Sequence, residues 1–197
     1  MNVTVGIVED DAVLRKTLAR LVEGEAGFLC VAACASAEEA LERLPSLKPE
    51  VVLMDLNLPQ MSGAECICRL KRALPSTQFI VLTVYEDSEH IFRALKAGAS
   101  GYLLKRADPD EVLSAIRNLR SGEAPMSSQV ARRLVQTFLT GPGNSPAALT
   151  RGESEILAFL AKGYAHQEIA DELSVSVPVI QGYLRQIYEK LHARIPP

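Results

Sequence analysis

Val51-Val52-Leu53-Met54-Asp55-Leu56-Asn57-Leu58-Pro59 is the stretch that decides the fold of this chain. Its first four residues are apolar and two are β-branched, a pattern typical of a strand buried on both faces, as in a parallel sheet. Open α/β sheets bind their ligands in the crevice beyond the carboxyl ends of the strands, where Asp55 follows. Because Asn57, Pro59 and Gly63 already supply turn-forming residues, Asp55 is free for a chemical role.

Outward from this stretch, apolar runs that predict strands alternate with helical patterns. The other predicted strands are Thr4–Val8, Phe28–Ala33, Phe79–Leu82 and Tyr102–Leu104. A first helix is predicted with Val13, Leu14, Leu18, Leu21 and Val22 on its apolar face. Pro45 is expected to end the second helix, and Gly98 to cap the fourth. This alternation predicts an α/β fold with a doubly wound, five-stranded parallel sheet.

Composition restricts the class of protein. The 197 residues are 48% apolar and 23% charged with a net charge of −3, as in an ordinary soluble protein and unlike a polybasic one. No apolar run approaches the roughly 20 residues that span a bilayer, and the N-terminus lacks a basic leader. We therefore expect a cytoplasmic chain without a membrane partner. Its four cysteines suit small buried side chains better than a disulfide or zinc site.

The alternation of predicted strands and helices ends after residue 120. A linker with one short helix is predicted over 121–148, where the helix falls near 126–139 and a Gly- and Pro-rich segment follows it. Residues 149–197 are predicted to form a small all-α domain in which Ser174–Pro178 is the turn of a helix-turn-helix. The predicted organisation is thus 1–120, 121–148 and 149–197.

Polar residues stand at the carboxyl ends of four predicted strands. They are Glu9 and Asp10, Asp55, Thr83 and Lys105, and a parallel sheet brings such ends to one edge. Three neighbouring carboxylates need a counter-charge, which Mg²⁺ with oxygen ligands supplies. Such a site is suited to placing a phosphoryl group on Asp55, with the metal and Lys105 neutralising the developing charge.

Two other classes of site are less compatible with these residues. A metal-dependent phosphatase on a similar sheet would need a second acid two residues after the nucleophile, where Asn57 stands. A nucleotide-binding module would need a phosphate-binding loop after the first strand, but Glu9-Asp10-Asp11 would repel phosphate without a metal.

Residues 1 to about 120 resemble the receiver domain of two-component response regulators. The matching segments are Ile7–Asp11, Val52–Pro59, Val81–Thr83 and Gly101–Lys105. The resemblance implies that Asp55 is the phospho-acceptor and that Thr83 and Tyr102 form the switch pair. It also implies that Glu9, Asp10, Asp55 and the backbone carbonyl of Asn57 hold Mg²⁺, with Lys105 binding the phosphate. Glu9 stands where the family more often has Asp.

The C-terminal segments resemble a LuxR-type helix-turn-helix. The matching segments are Leu149–Leu157, Glu168–Ala170 and Ile187–Leu191. A receiver joined to this domain is the NarL/FixJ type of bacterial transcription regulator. The resemblance implies a phosphoprotein that accepts a phosphoryl group from a sensor histidine kinase and can dephosphorylate itself, without being an enzyme otherwise. It further implies phosphorylation-dependent homodimers that bind promoter DNA.

The output domain departs from its family where it would meet DNA. Residues 149–197 carry five basic and six acidic side chains, although phosphate neutralisation supplies much of the affinity for DNA. Val179, Gln181 and Tyr183 replace the usual Thr, Lys and His. The sequence stops at Pro196-Pro197, where the family has a fourth helix that pairs the DNA-binding domains, so we expect that helix to be missing here. The candidate DNA contacts are Gln181, Tyr183, Arg185, Gln186 and Lys190. The alternative is a degenerate helix-turn-helix that binds a protein partner instead.

Overall fold

The computed structural model describes residues 2–85, 88–120, 149–162, 164 and 166–193. In the N-terminal part, strands and helices alternate in the order β1 (Val3–Val8), α1 (Ala12–Gly24), β2 (Phe28–Cys34), α2 (Ala37–Leu47), β3 (Val51–Met54), α3 (Gly63–Ala73), β4 (Gln78–Thr83), α4 (Ser88–Lys96), β5 (Gly101–Leu104) and α5 (Pro109–Arg120). Three helices follow in the C-terminal part, α6 (Arg151–Ala161), α7 (His166–Glu172) and α8 (Val177–Ala193). The predicted linker and its short helix lie outside the described residues, so the predicted domain boundaries stay predictions.

The five strands form one parallel sheet in the order β2-β1-β3-β4-β5. The strand that precedes Asp55 is central, and its Leu53 pairs with Ile7 on one side and Ile80 on the other. All four residues of β3 are buried, as their unbroken apolar character predicts. The predicted doubly wound α/β fold with a second, all-α domain is confirmed.

Helices cover both faces of the sheet. On one face, residues of α1 and α5 pack against alternate strand residues such as Val5, Ile7 and Leu53. On the other face, α2, α3 and α4 pack against the intervening residues, including Val52 and Phe79. Because both faces are covered, the polar side chains that follow the strands are directed to the exposed edge of the sheet.

Two predicted details of the helices are wrong. Val13 does not lie on the buried face of α1, since 76% of its surface is exposed, whereas Leu18 and Val22 are buried as predicted. Pro45 does not end α2, which continues to Leu47. The proline falls in the last turn, and the chain leaves the helix only at Lys48, which adopts the left-handed conformation and donates its N–H to Leu44. The predicted cap at Gly98 is confirmed by its φ of 104°.

Gly63 lets the start of α3 lie directly against the backbone of Asp55. A Cβ at this position would lie only 1.9 Å from the backbone oxygen of Asp55. The backbone N–H of Gly63 donates to the carbonyl of Leu56 at 3.1 Å. Only glycine therefore permits the close approach between α3 and the turn that follows β3.

The C-terminal helices form the expected helix-turn-helix with a shorter turn than predicted. The turn ends at Ser176 because α8 begins at Val177, and Pro178 is accommodated in its first turn, where no helical N–H is required. α8 contacts α4, so apolar residues of the two parts belong to one cluster that includes Ile91, Leu95 and Leu184. The C-terminal helices thus pack on the receiver-like part.

The four cysteines differ in burial, and Cys30 is only half-buried. Cys34 and Cys66 are buried, and burial raises the pKa of their thiols to about 11 and about 12. Cys68 is exposed, contrary to the expectation of buried cysteines. Within the described residues, every helix is too short or too polar to cross a bilayer.

Candidate functional site

Three carboxylates meet at the carboxyl edge of the sheet. Glu9 and Asp10 follow β1, and Asp55 follows the neighbouring parallel strand β3. One carboxylate oxygen from each lies within 4.8 Å of the others, which makes this a group that could hold a metal ion. Glu9 and Asp55 are buried, whereas Asp10 is exposed. The donor set is entirely oxygen and open to solvent on one side, which fits a hard divalent cation.

Lys105 places a positive charge inside this cluster. Its Nζ lies 2.8 Å from Oδ2 of Asp55 and 2.8 Å from Oε1 of Glu9. Burial lowers the pKa of the Lys105 ammonium, but its hydrogen bonds to Asp55 and Glu9 outweigh this effect, and the pKa is raised overall. Lys105 therefore remains charged between the two buried carboxylates.

The pKa of the Glu9 carboxyl is raised by its position in the cluster. Burial raises the pKa of its carboxyl, and the negative charge of Asp55 raises it further, while the hydrogen bond from Lys105 offsets only part of this. Burial and the charge of Asp55 therefore disfavour the ionised form of Glu9. A cation at the open side would relieve this repulsion.

Thr83 and Tyr102 lie beside the site and share a contact with Tyr85. Thr83 and Tyr102 are both fully buried. The hydroxyl oxygen of Thr83 accepts from the backbone N–H of Tyr85 at 3.4 Å, and the hydroxyl of Tyr102 donates to the carbonyl oxygen of Tyr85 at 3.0 Å. The two predicted switch residues are therefore joined through the segment that follows β4.

Tyr85 is a site residue that the sequence did not indicate. Its hydroxyl donates to Oδ1 of Asn57 at 3.2 Å, and its ring stacks on that of His90 with a centroid distance of 4.0 Å. The backbone N–H of Asn57 in turn donates to Oδ1 of Asp55 at 3.1 Å. A lone tyrosine after a strand belongs to no pattern, so only the fold brings it to Asn57.

Arg15 is a second residue that sequence patterns did not single out. It lies in α1, and its Nη1 donates to the carbonyl oxygens of Glu9 at 2.6 Å and Asp10 at 3.0 Å. From sequence alone, an arginine one turn into a helix would be predicted to lie on the surface in contact with solvent. Here it binds the backbone of the loop that carries Glu9 and Asp10.

The candidate DNA-contacting residues on α8 have different surroundings. Gln186 is exposed, whereas the side chains of Gln181 and Arg185 lie outside the described part of the structure. Tyr183 packs against the start of α6, where a Cβ on Gly152 would lie 3.3 Å from its Cε1. Gly152 therefore makes room for the ring of Tyr183.

Lys190 binds the protein itself. Its Nζ lies 2.6 Å from Oε2 of Glu153, a carboxylate that is buried at the start of α6. The same Oε2 accepts the backbone N–H of Thr150 at 2.6 Å, completing a capping box. Lys190 thus joins α8 to α6.

Comparisons with known proteins agree with this architecture. Residues 5–117 match the family model described as the response regulator receiver domain, and residues 147–194 match that of the bacterial regulatory proteins of the luxR family. The oxygen regulatory protein NreC of Staphylococcus aureus strain JH9 is 33% identical in an alignment 199 positions long, which covers 97% of this chain and 92% of that protein.

Solved structures give the same result. A LuxR-family response regulator from Aurantimonas sp. SI85-9A1 is 29% identical with a TM-score of 0.67, covering 71% of this chain and 99% of that one. RcsB of Salmonella typhimurium is 26% identical with a TM-score of 0.65 over 96% and 92% of the two chains. RcsB in complex with DNA is 25% identical with a TM-score of 0.65 over 100% and 95%. The chain belongs to the response regulators that combine a receiver domain with a LuxR-type DNA-binding domain and regulate transcription.

Proposed function

We propose that Asp55 accepts a phosphoryl group from a sensor histidine kinase. The observation that carries this proposal is the contact of Lys105 with the carboxylate that follows the central strand, 2.8 Å from Nζ to Oδ2. An oxygen of Asp55 would attack phosphorus, forming a P–O bond as the P–N bond to the kinase histidine breaks. Lys105 then stabilises negative charge on the phosphoryl oxygens.

Mg²⁺ is the proposed cofactor. Glu9, Asp10 and Asp55 would hold it together with the backbone carbonyl of Asn57, since these are hard oxygen ligands. When bound, the ion neutralises charge on the transferred phosphoryl group. Glu9 and Asp10 would act by holding the ion beside Asp55. Slow hydrolysis of the acyl phosphate at the same site is the one reaction we propose beyond its formation.

Thr83 and Tyr102 would transmit the change to the output domain. Both contact Tyr85, which lies three residues before the start of α4, and α4 contacts α8. A shift of this segment on phosphorylation would alter the packing of α8, the helix that carries the candidate DNA contacts. We propose that the phosphorylated form then pairs as a homodimer on promoter DNA in the bacterial cytoplasm.

Acetyl phosphate and Mg²⁺ test the phospho-acceptor. The wild-type chain should gain the mass of one phosphoryl group, and Asp55→Ala should gain none. Asp110→Ala is the matched control, because Asp110 is an exposed acid in the first turn of α5, and it should be labelled as the wild type. Equal labelling of the wild type and Asp55→Ala would disprove the assignment.

A salt titration tests DNA binding by the output domain. Binding of the phosphorylated chain to promoter fragments should weaken steadily as salt rises, because counterions are released from the phosphates. Arg185→Ala should reduce the slope of this dependence by about 1, the effect of losing one phosphate contact. A flat response would favour a protein partner, consistent with the exposed Val175 and Val179 around the start of α8.

A further inference from the structure

The loop between β1 and α1 contains three consecutive acidic residues, and their side chains point in two different directions. The carboxylate of Asp11 points along the chain, where its Oδ1 accepts the backbone N–H groups of Val13 at 2.7 Å and Leu14 at 2.9 Å as the cap of α1. Glu9 and Asp10 instead place carboxylate oxygens in the cluster with Asp55. The Glu9 carboxylate is held there by Lys105, whose Nζ lies 2.8 Å from Oε1, and by the backbone N–H of Asp11, which donates to the same oxygen at 3.3 Å.

Arg15 binds the backbone of this loop at the two residues that enter the cluster. A single guanidinium nitrogen, Nη1, reaches both carbonyl oxygens, 2.6 Å to Glu9 and 3.0 Å to Asp10. That nitrogen carries two N–H groups, enough for one hydrogen bond to each carbonyl. A carbonyl held toward Arg15 limits the rotation of its peptide unit, and this in turn limits where the adjoining side chains point.

We propose that Arg15 is a positioning residue for the divalent-cation site, and this rests on the metal site proposed above. By holding the carbonyl oxygens of Glu9 and Asp10, it keeps their carboxylates directed at Asp55. Arg15 itself does not contact the ion. Groups that orient metal ligands in this way typically change metal affinity about 10- to 100-fold when they are removed.

Positioning and simple electrostatics predict opposite results at this residue. The guanidinium is a positive charge close to the proposed cation, so by charge alone its removal would tighten cation binding. By positioning, its removal would release two peptide units and weaken binding. The sign of the change in affinity therefore decides between the two roles.

The experiment measures Mn²⁺ binding to the full chain from the electron paramagnetic resonance signal of free Mn²⁺, an ion that accepts the same oxygen ligands. Arg15→Met should weaken binding about 10-fold. Arg15→Lys keeps the charge but lacks the guanidinium geometry, so its affinity should fall between those of the wild type and Arg15→Met. Arg20→Met removes an exposed charge from the same helix and should bind as the wild type. Unchanged or tighter binding by Arg15→Met would overturn the proposal.

Two further measurements separate this proposal from its premise. Wild-type chain that binds no Mn²⁺, or Asp10→Ala that binds it normally, would refute the metal site itself. If Arg15→Met does not fold, as judged by its circular dichroism, Arg15→Lys decides: affinity equal to that of the wild type would overturn the positioning role. In phosphorylation by acetyl phosphate, Arg15→Met should need about 10-fold more Mg²⁺ for half-maximal rate while the rate at saturating Mg²⁺ is retained.

Discussion

The hydroxyl of Tyr102 donates a hydrogen bond to the backbone carbonyl of Tyr85 at 3.0 Å. Through its own side chain, Tyr85 reaches Asn57, whose backbone N–H binds Asp55. A buried aromatic residue on β5 is thus connected to the proposed phospho-acceptor in three hydrogen bonds. This chain of contacts provides a physical route from the site to the segment before α4.

Tyr102→Phe should separate phosphorylation from output. The variant keeps the buried ring and loses the hydrogen bond to the Tyr85 carbonyl, which costs about 1 kcal/mol of stability. Labelling of Asp55 by acetyl phosphate should stay near the wild-type rate, because the hydrogen bond that the variant loses is made to the Tyr85 carbonyl and not to a carboxylate. The gain in DNA affinity on phosphorylation should fall, measured as the ratio of dissociation constants with and without acetyl phosphate.

Tyr85→Phe should shorten the lifetime of the acyl phosphate. The phenol hydroxyl joins Tyr85 to Asn57 across the mouth of the site, and its loss leaves that side more open to water. A neutral hydrogen bond of about 0.5–1.5 kcal/mol corresponds to a roughly 2- to 10-fold faster hydrolysis. The measurement is the decay of phosphorylated chain after acetyl phosphate is removed.

Tyr164→Phe serves as the control for both tyrosine variants. Tyr164 is exposed between α6 and α7 and contacts Phe159 edge-to-face, far along the chain from the carboxylate cluster. Its hydroxyl should have no effect on acyl-phosphate decay. An unchanged decay in Tyr85→Phe would show that the contact with Asn57 does not restrict access to Asp55.

The sheet and its acidic edge were predictable because short apolar runs alternate with helical patterns along the chain. An apolar run such as Val51–Met54 favours a buried strand in that context, and parallel strands bring Asp55, Glu9 and Lys105 to one edge. The error at Pro45 arose from a local rule: proline in a final turn removes one hydrogen bond without ending the helix.

Contacts that depend on packing could not be predicted in this way. Nothing near Tyr85 in the sequence indicates Asn57, 28 positions away, as its partner. Lys190 illustrates the same limit, because a lysine on a recognition helix suggests a phosphate contact, whereas the fold directs it to Glu153. Such pairs are determined by how helices approach each other, which composition and periodicity do not specify.

Gly63→Ala should damage the site through the backbone. The new methyl group would overlap the carbonyl oxygen of Asp55, so either α3 or the Asp55 turn must shift. Overpacking of this kind costs about 1–3 kcal/mol, and phosphorylation by acetyl phosphate should slow as well. Urea unfolding and labelling rates measure the two effects.

Gly24→Ala is the matched control for that substitution. A Cβ at Gly24 meets no atom within 4 Å, so the change should alter stability by less than about 1 kcal/mol and leave labelling unaffected. If Gly63→Ala proved as stable and as readily labelled as Gly24→Ala, the close approach of α3 to Asp55 would be refuted.

Lys190→Met should destabilise the output domain and change how the stability of this domain depends on pH. Burial raises the pKa of the Glu153 carboxyl, but the hydrogen bonds from Lys190 and from the Thr150 backbone lower it by more. The pKa therefore lies below its usual 4.5. This interaction stabilises the wild type above about pH 4.5, and the contribution is lost as the pH falls through the lowered pKa. Without Lys190, the buried carboxylate is unpaired, its pKa rises, and acidification then relieves the unfavourable charge.

At pH 7 the loss should be about 3 kcal/mol, at the lower end for a broken buried pair because the Lys190 side chain is 28% exposed. Hydrogen exchange of peptides from α6 and α8 in the full chain measures it locally. The difference between wild type and Lys190→Met should shrink from pH 7 to pH 5, since protonation of Glu153 removes the unpaired charge. Glu153→Gln/Lys190→Met should recover part of the stability and show no such pH dependence, because neither side chain then carries a charge. A pH-independent difference would show that Lys190 stabilises α6 through packing alone and not through its charge.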